Sequence, residues 1–424
     1  MNTVPHIISR IIMRAEAIFR TDLRYVFHGL SWSLIGQIAA VISSLALSVV
    51  LGHALSKETY GVYKYVLSFV ALLSVFSLNN IRGAVFQSTA RGFDGALKEG
   101  FMANLRWSIL IFAGACAIGA YYFFAHNFEL AYAILLGGCI SPFIVSANTF
   151  GSFLSAKKDF ARHTLYVDVF GNSIPVILLI VTAYVSPHVV SLVTVYFLSN
   201  AAVDLYFYLR TKKIYAVDDT ATDPHMLTYG KYLSILGVLT GIAGNIDKLL
   251  LFHYVAAAQL AVYAFAIGIF DQVKGPVKTL DIMMQARFVT RKDNDLQRSM
   301  PYKILWIFLF SLVAIFVFVI TAPLLYKILF PAYTEAIPYA QVYAFSLLGT
   351  CMYPITSYII SKKRLREHYI LIISSSVIQI VMIFIGIFGW GLWGLVIARV
   401  ASSITTALLT VLVYLLLVRE RAKT

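Results

Sequence analysis

"LGHALSKETYGVYKYV" (51–66) and "LFHYVAAAQLAVYAFA" (251–266) lie 200 positions apart and share Leu51/Leu251, His53/His253, Val62/Val262 and Tyr63/Tyr263. Each is a short polar joint between two long apolar runs. Working outward, apolar runs of about 20 residues recur from end to end, the length that spans a bilayer as a helix. They fall at 29–52, 61–85, 107–125, 129–155, 165–185, 188–209, 232–254, 259–283, 304–326, 337–360, 369–388 and 390–417. The long polar link "TKKIYAVDDTATDPHMLTYGKY" (211–232) divides them into two sets of six. Six crossings per set make both copies enter the membrane in the same sense, a parallel repeat of the kind that builds alternating-access transporters.

Composition agrees. The 424 residues are 60% hydrophobic and 13% charged, against about 45–50% and about 25% in soluble domains. The expectation is an all-α polytopic membrane protein of about twelve transmembrane helices. Its parts are a 1–28 cytoplasmic amphipathic segment, a 29–210 N-lobe, a 211–231 linker and a 232–424 C-lobe.

A net charge of +14 invites nucleic acid, but its distribution points to orientation instead. Of 34 Lys and Arg, 26 lie in alternate connections and the two tails, only Lys57 and Lys327 lie in the opposite connections, and six lie within spans. That asymmetry is the positive-inside pattern and predicts both termini in the cytoplasm. Arg10, Arg14, Arg20 and Arg24 share one side of a helix, opposite Ile8, Ile11, Ala15, Phe19 and Leu23. Such a helix either lies on the anionic inner leaflet or packs on the bundle. Cys116, Cys139 and Cys351 fall within spans and read as small apolar fillers.

Three segments carry a family resemblance: "LGHALSKETYGVYKYV", "NIDKLLLFHYVAAAQLAVYAFA" (245–266) and "GWGLWGLVIARVASS" (389–403). They resemble segments of the polysaccharide-transporter family, the Wzx-type flippases for O-antigen, capsule and exopolysaccharide units. That family sits in the superfamily of multidrug, oligosaccharidyl-lipid and polysaccharide exporters. The resemblance implies two six-helix lobes facing a central cavity. It also implies passage of undecaprenyl-diphosphate-linked oligosaccharide from the cytoplasmic to the outer leaflet of the bacterial inner membrane. The expected partners are that lipid-linked oligosaccharide, membrane lipids, and the polysaccharide polymerase and chain-length machinery. The protein is expected to be a monomer, not an enzyme, without nucleic acid, cofactor or metal.

A charge inside a membrane helix costs at least about 2.5–3.5 kcal/mol, so each in-span charge is a candidate for function. Ser234, Gly237, Gly241, Gly244 and Lys248 recur on one helical face, which is either a close-packing seam or a cavity wall. Adjacent side chains diverge by about 100°. Asp247 is therefore expected to face Lys274 or Arg399, not Lys248, and to hold helices in register. Asp271 and Lys274 are i, i+3 neighbours able to pair, and Gly275-Pro276 interrupts the helix where a gate would bend. Lys64, Asn79 and Arg82 share an arc of the second span. Cations at several depths would replace the hydration of a diphosphate, so Lys248, Lys274, Arg399, Arg82, Lys64 and Asn79 are the expected binding residues. Asp271 and Asp247 are the coupling or ion-pair candidates.

Two rivals differ in class. A multidrug cation exporter predicts an acid-dominated cavity, whereas six in-span cations stand here. A membrane glycosyltransferase or polymerase needs carboxylates or histidines gathered at one face. The outer connections, such as "AHNFEL" and "SPH", are too short to carry them.

Overall fold

The computed structural model describes residues 23–421 apart from 292 and 363. It leaves out the side chains of 23–30, 273–283, 285–287, 289–290, 294, 365 and 419–421. The 1–28 amphipathic segment thus lies almost wholly outside the described residues.

The described chain is helical throughout. The N-lobe comprises α1 (Leu23–Ala54), α2 (Lys57–Ser74), α3 (Ile81–Ala90), α4 (Ala96–Trp107), α5 (Ile109–Phe124), α6 (Phe128–Ala147) and α7 (Thr149–Ala156). It continues through α8 (Phe160–His163), a π-helical stretch (Thr164–Phe170), α9 (Gly171–Val185) and α10 (Val189–Ile214). The C-lobe comprises α11 (Met226–Tyr254), α12 (Ala257–Thr290) and α13 (Asp293–Leu329). Then come α14 (Ile337–Ala344) and α15 (Tyr353–Ser361), separated by a 3-10 stretch, and α16 (Leu365–Arg421).

Nine helices among the described residues are long and apolar enough to cross a membrane. The last of them is two spans. Trp390 and Gly391 leave helical geometry, Gly391 at φ +57° and ψ −130°, and Gly386 packs backbone to backbone on Gly394. Contact between residues eight apart requires a hairpin, and a positive φ at its turn suits the residue without a Cβ. Adding the second span (α2 and α3) and the eighth (α12) completes the expected twelve.

The repeat is visible in the helix starts. Ser56 is extended (φ −67°, ψ 158°) and its hydroxyl accepts from the Thr59 amide at 3.1 Å, capping α2. Ala256, 200 positions on, is likewise extended and opens α12. Leu51 and Leu251, and Tyr63 and Tyr263, are all buried.

The second span departs from the uniform helix that its apolar run suggests. After Ser74 the backbone tightens into i→i−3 bonds from Val75 to Leu72, Phe76 to Leu73 and Ser77 to Ser74. Helix resumes only at Ile81. The Ser74 and Ser77 hydroxyls donate to the Val70 and Ser74 carbonyls, competition that bends helices. The arc that puts Lys64, Asn79 and Arg82 on one face therefore does not exist. Lys64 belongs to α2, Asn79 to the break and Arg82 to α3.

The two lobes meet at both ends. At the charge-poor end, Lys57 pairs with Glu335 at 2.5 Å, and Gly61 abuts the Ala257 carbonyl. Tyr60 stacks on Phe265 at 4.8 Å and Tyr65 on Phe252 at 4.0 Å. The Tyr122 hydroxyl bridges Tyr65 (2.8 Å) and His253 (3.2 Å). At the basic end, Asn80 of the N-lobe donates to the Leu233 carbonyl of α11; within the N-lobe the first half of α1 leans on the fifth span, with Gly36 against Asp168 and Ser43 hydrogen-bonded to Ser173. There Ile35, Ile38 and Ile42 are exposed.

Candidate functional site

Three in-span charges of the C-lobe, Asp247, Lys248 and Arg399, are gathered into one network. Asp247, on α11, is fully buried and lies 3.2 Å from an Arg399 guanidinium nitrogen. It accepts a 2.6 Å hydrogen bond from the Tyr263 hydroxyl on α12. Arg399 was one of the two partners expected for it. The exclusion of Lys248 needs correction: its ammonium lies 3.6 Å from the same carboxylate and donates to the Gly244 carbonyl at 3.0 Å. Cα–Cβ vectors of neighbours diverge, but the four-carbon lysine stem folds back far enough to undo that. Nearby, the Tyr343 hydroxyl donates to Asp271 at 2.9 Å. The side chains of Lys274, Gly275 and Pro276 lie outside the described residues, so neither the Asp271–Lys274 pair nor the proline kink is described. The backbone is helical across them.

The N-lobe holds the polar space. Arg82, one residue into α3, is exposed and opens into a cleft of about 550 Å³. Gln87, Asn148, Ser152, His163 and Tyr229 also line it. The Arg82 guanidinium donates to the Asn148 side chain at 3.4 Å, and the Asn148 amide donates to Asp204 at 3.5 Å. Among the described residues no carboxylate lines the cleft itself; Asp168 stands behind His163 at 3.8 Å. Lys64 lies elsewhere, half-buried with its ammonium 5.3 Å from the Tyr60 ring centroid.

Asn79 lines a second, smaller pocket of about 200 Å³ between the break in the second span and α11. Ser234, Gly237 and Gly241 form its far wall. The small-residue face thus serves both expected purposes. Gly237 packs on Asn80 and Gly241 on Val75, while the same residues line a cavity. Gly244 has open space beside it, and Lys248 reaches neither cavity.

The inter-lobe linker fastens the basic end to the N-lobe. Asp223, buried, accepts from the Ser88 hydroxyl at 2.7 Å and lies 3.4 Å from Arg91. The Ser88 hydrogen bond leads the interactions that hold its carboxyl below the usual range. Asp219 pairs with Lys212 (2.8 Å) and Lys98 (3.0 Å), and the Gly95 amide donates to the Ala221 carbonyl at 2.9 Å. Past the linker, Gln87 donates to the Tyr229 hydroxyl at 2.9 Å and Asn80 to the Leu233 carbonyl at 3.1 Å.

Sequence reasoning missed Tyr263, Tyr343, Asn148, Asn80 and Asp223. Only Tyr263 carried a signal, as the repeat partner of Tyr63.

Two six-span lobes with polar cavities beside their seam are the build of a membrane transporter. Solved structures share the fold. The outward-facing conformation of a multidrug resistance MATE family transporter of the MOP superfamily has a TM-score of 0.63 at 18% identity, covering 92% of this chain and 96% of that one. The inward-facing conformation of such a transporter scores 0.62 at 16% identity, covering 89% and 97%. A MOP superfamily transporter from Pyrococcus furiosus, described as having a binding pocket of reversed polarity that suggests a different function, scores 0.54 at 18% identity, covering 91% and 92%. Residues 50–279 match the family described as polysaccharide biosynthesis protein, and the chain belongs to that family. No curated protein matches the sequence.

Proposed function

We propose that the protein is a Wzx-type flippase of the inner membrane, with both termini cytoplasmic. It carries an undecaprenyl-diphosphate-linked oligosaccharide to the outer leaflet by alternating access, for assembly of a surface polysaccharide. One observation carries the reading. The cleft at the seam presents Arg82 and His163 among amides and hydroxyls; among the described residues no carboxylate lines it, Asp204 and Asp168 standing behind Asn148 and His163. A guanidinium in a polar cleft suits a diphosphate, which it grips bidentately. A multidrug cation exporter would need the opposite sign. The coupling or ion-pair candidates, Asp247 and Asp271, are engaged by Arg399, Tyr263 and Tyr343. The family match supports the polysaccharide pathway.

The test is Arg82→Ala beside Arg82→Lys. Losing a charge-assisted contact should reduce surface polysaccharide about tenfold or more, with lipid-linked oligosaccharide accumulating in the cytoplasmic leaflet. Lys should retain part of the export. Normal surface polysaccharide from a well-expressed Arg82→Ala protein would refute the assignment.

A further inference from the structure

The seam at the charge-poor end holds a titratable group that the proposed transport does not use. His253, near the end of α11, reaches across it. Its Nε2 lies 3.2 Å from the Tyr122 hydroxyl on α5, which lies 2.8 Å from the Tyr65 hydroxyl on α2. The imidazole belongs to the C-lobe and both phenols to the N-lobe, so this chain of hydrogen bonds ties one lobe to the other. Phe252, beside His253, stacks on Tyr65 at 4.0 Å and holds that phenol in place. His253 is exposed, whereas Tyr65 and Tyr122 are buried. Solvent protons therefore reach the imidazole, while the Tyr65 hydroxyl behind it is shielded.

Counting hydrogens fixes the direction of the chain. A phenol has one hydrogen to give, and a neutral imidazole accepts at one nitrogen. With Nε2 unprotonated, Tyr65 donates to Tyr122, Tyr122 donates to His253, and every hydrogen has an acceptor. A proton on Nε2 reverses both bonds. His253 then donates to Tyr122, Tyr122 donates to Tyr65, and the Tyr65 hydrogen is left over. Among the described residues Tyr122 is the one hydrogen-bond partner of that hydroxyl. An unmet buried donor destabilises the arrangement that contains it. Opening the seam removes the penalty, because water can then accept the hydrogen.

The surrounding charges are committed elsewhere. α2 presents Tyr65 to the imidazole, and its Lys64 lies over the Tyr60 ring. α5 presents Tyr122, with Tyr121 edge-on beside it. On α11 itself, Lys248 turns to Asp247 and to the Gly244 carbonyl, and Tyr254 packs on Phe388 of α16. Tyr263 of α12 donates to Asp247. Lys57 and Glu335, the charged pair of the same seam, neutralise each other. His53, 200 positions before His253, offers an internal contrast. It is also exposed, but its Nδ1 is bonded to the Val49 carbonyl of its own helix at 2.7 Å.

We propose that His253 is a proton-operated latch on this seam. Neutral, it completes the Tyr65–Tyr122–His253 chain between the lobes; protonated, it releases them. The closed seam is favoured above the ordinary imidazole range of about 6.5, and the open form gains as pH falls through it. The latch is independent of which substrate is carried.

Nitroxide labels on Glu58→Cys and Thr334→Cys, exposed positions each one residue from the Lys57–Glu335 pair, report the seam by double electron–electron resonance. The protein is full length, lacks the three native cysteines and sits in nanodiscs. From pH 8 to pH 5 the ratio of open to closed distances should rise about fivefold or more. His253→Gln, a neutral acceptor at every pH, should hold the pH 8 ratio throughout, and His53→Gln should titrate like wild type. Tyr122→Phe, which cuts the link, should be as open at pH 8 as wild type is at pH 5. A wild type indifferent to pH, or one that closes on acidification, would overturn the latch. So would an undiminished response in His253→Gln, or a response abolished by His53→Gln.

Discussion

Asp247 has no exposed surface and two cations within 4 Å, which makes it the most constrained carboxylate described. Removing one member of a buried pair strands the other in low dielectric, at about 3–5 kcal/mol. Arg399→Ala should therefore lower the melting temperature in detergent sharply. Adding Asp247→Asn should recover much of that loss, because the neutral amide can keep the Tyr263 hydrogen bond. If the double variant melts no higher than the single one, Arg399 stabilises the lobe by packing, not by charge. Sequence placed Asp247, Arg399 and the other in-span charges as unusual. It named Arg399 as one of two partners for Asp247, but could not say that Lys248 and two tyrosines from other helices join them, since that depends on helix rotation and tilt.

Among elements, the second span shows what an apolar run conceals. Its break contains neither proline nor glycine, so no strong punctuation marks it. Serine back-bonding and two asparagines interrupt the ladder, and the resulting gap creates the pocket. By contrast, the α16 hairpin was legible as two runs meeting near "GWG", because a glycine can turn with positive φ. At the start of α2, a Cβ on Gly61 would overlap the Ala257 carbonyl, a backbone atom unable to swing aside. Gly61→Ala should prise the charge-poor seam open. In a background lacking the three native cysteines, a short bismaleimide should then link Lys57→Cys to Glu335→Cys less efficiently than when Gly61 is present. Unchanged linking would mean that α12 shifts as a body and the seam survives.

On the scale of the whole molecule, α11 belongs to both lobes. Its first turns and the linker before it are tied to the N-lobe through Asp223, Tyr229 and the Leu233 carbonyl. Its second half is tied to the C-lobe through Asp247 and through Gln379, which donates to the Ala243 carbonyl at 2.6 Å. Between them lie Gly237, Gly241 and Gly244, where bending costs least. The basic-end junction of α3 with the linker should thus behave as a hinge, and the charge-poor seam as a gate. Disulfide closure of Ser88→Cys with Asp223→Cys should leave export close to wild type. Bismaleimide closure of Lys57→Cys with Glu335→Cys should abolish it. Loss of export with both links would make the basic junction a gate as well.

Sequence by itself determined the class and the number of spans. Those properties follow from lengths of apolar chain, and a bilayer reads length directly. It also marked Arg82 and Asn79 and the glycine face of α11, because polar or small residues inside a span stand out one by one. Only the tertiary structure decided which of the charges neutralise one another and which face open space. It alone separated Lys248, bound to its own helix, from Arg82, which faces the cleft. Helix rotation, a break without proline and the folding back of a lysine stem are settled by packing between segments far apart in the chain, and no local pattern encodes them.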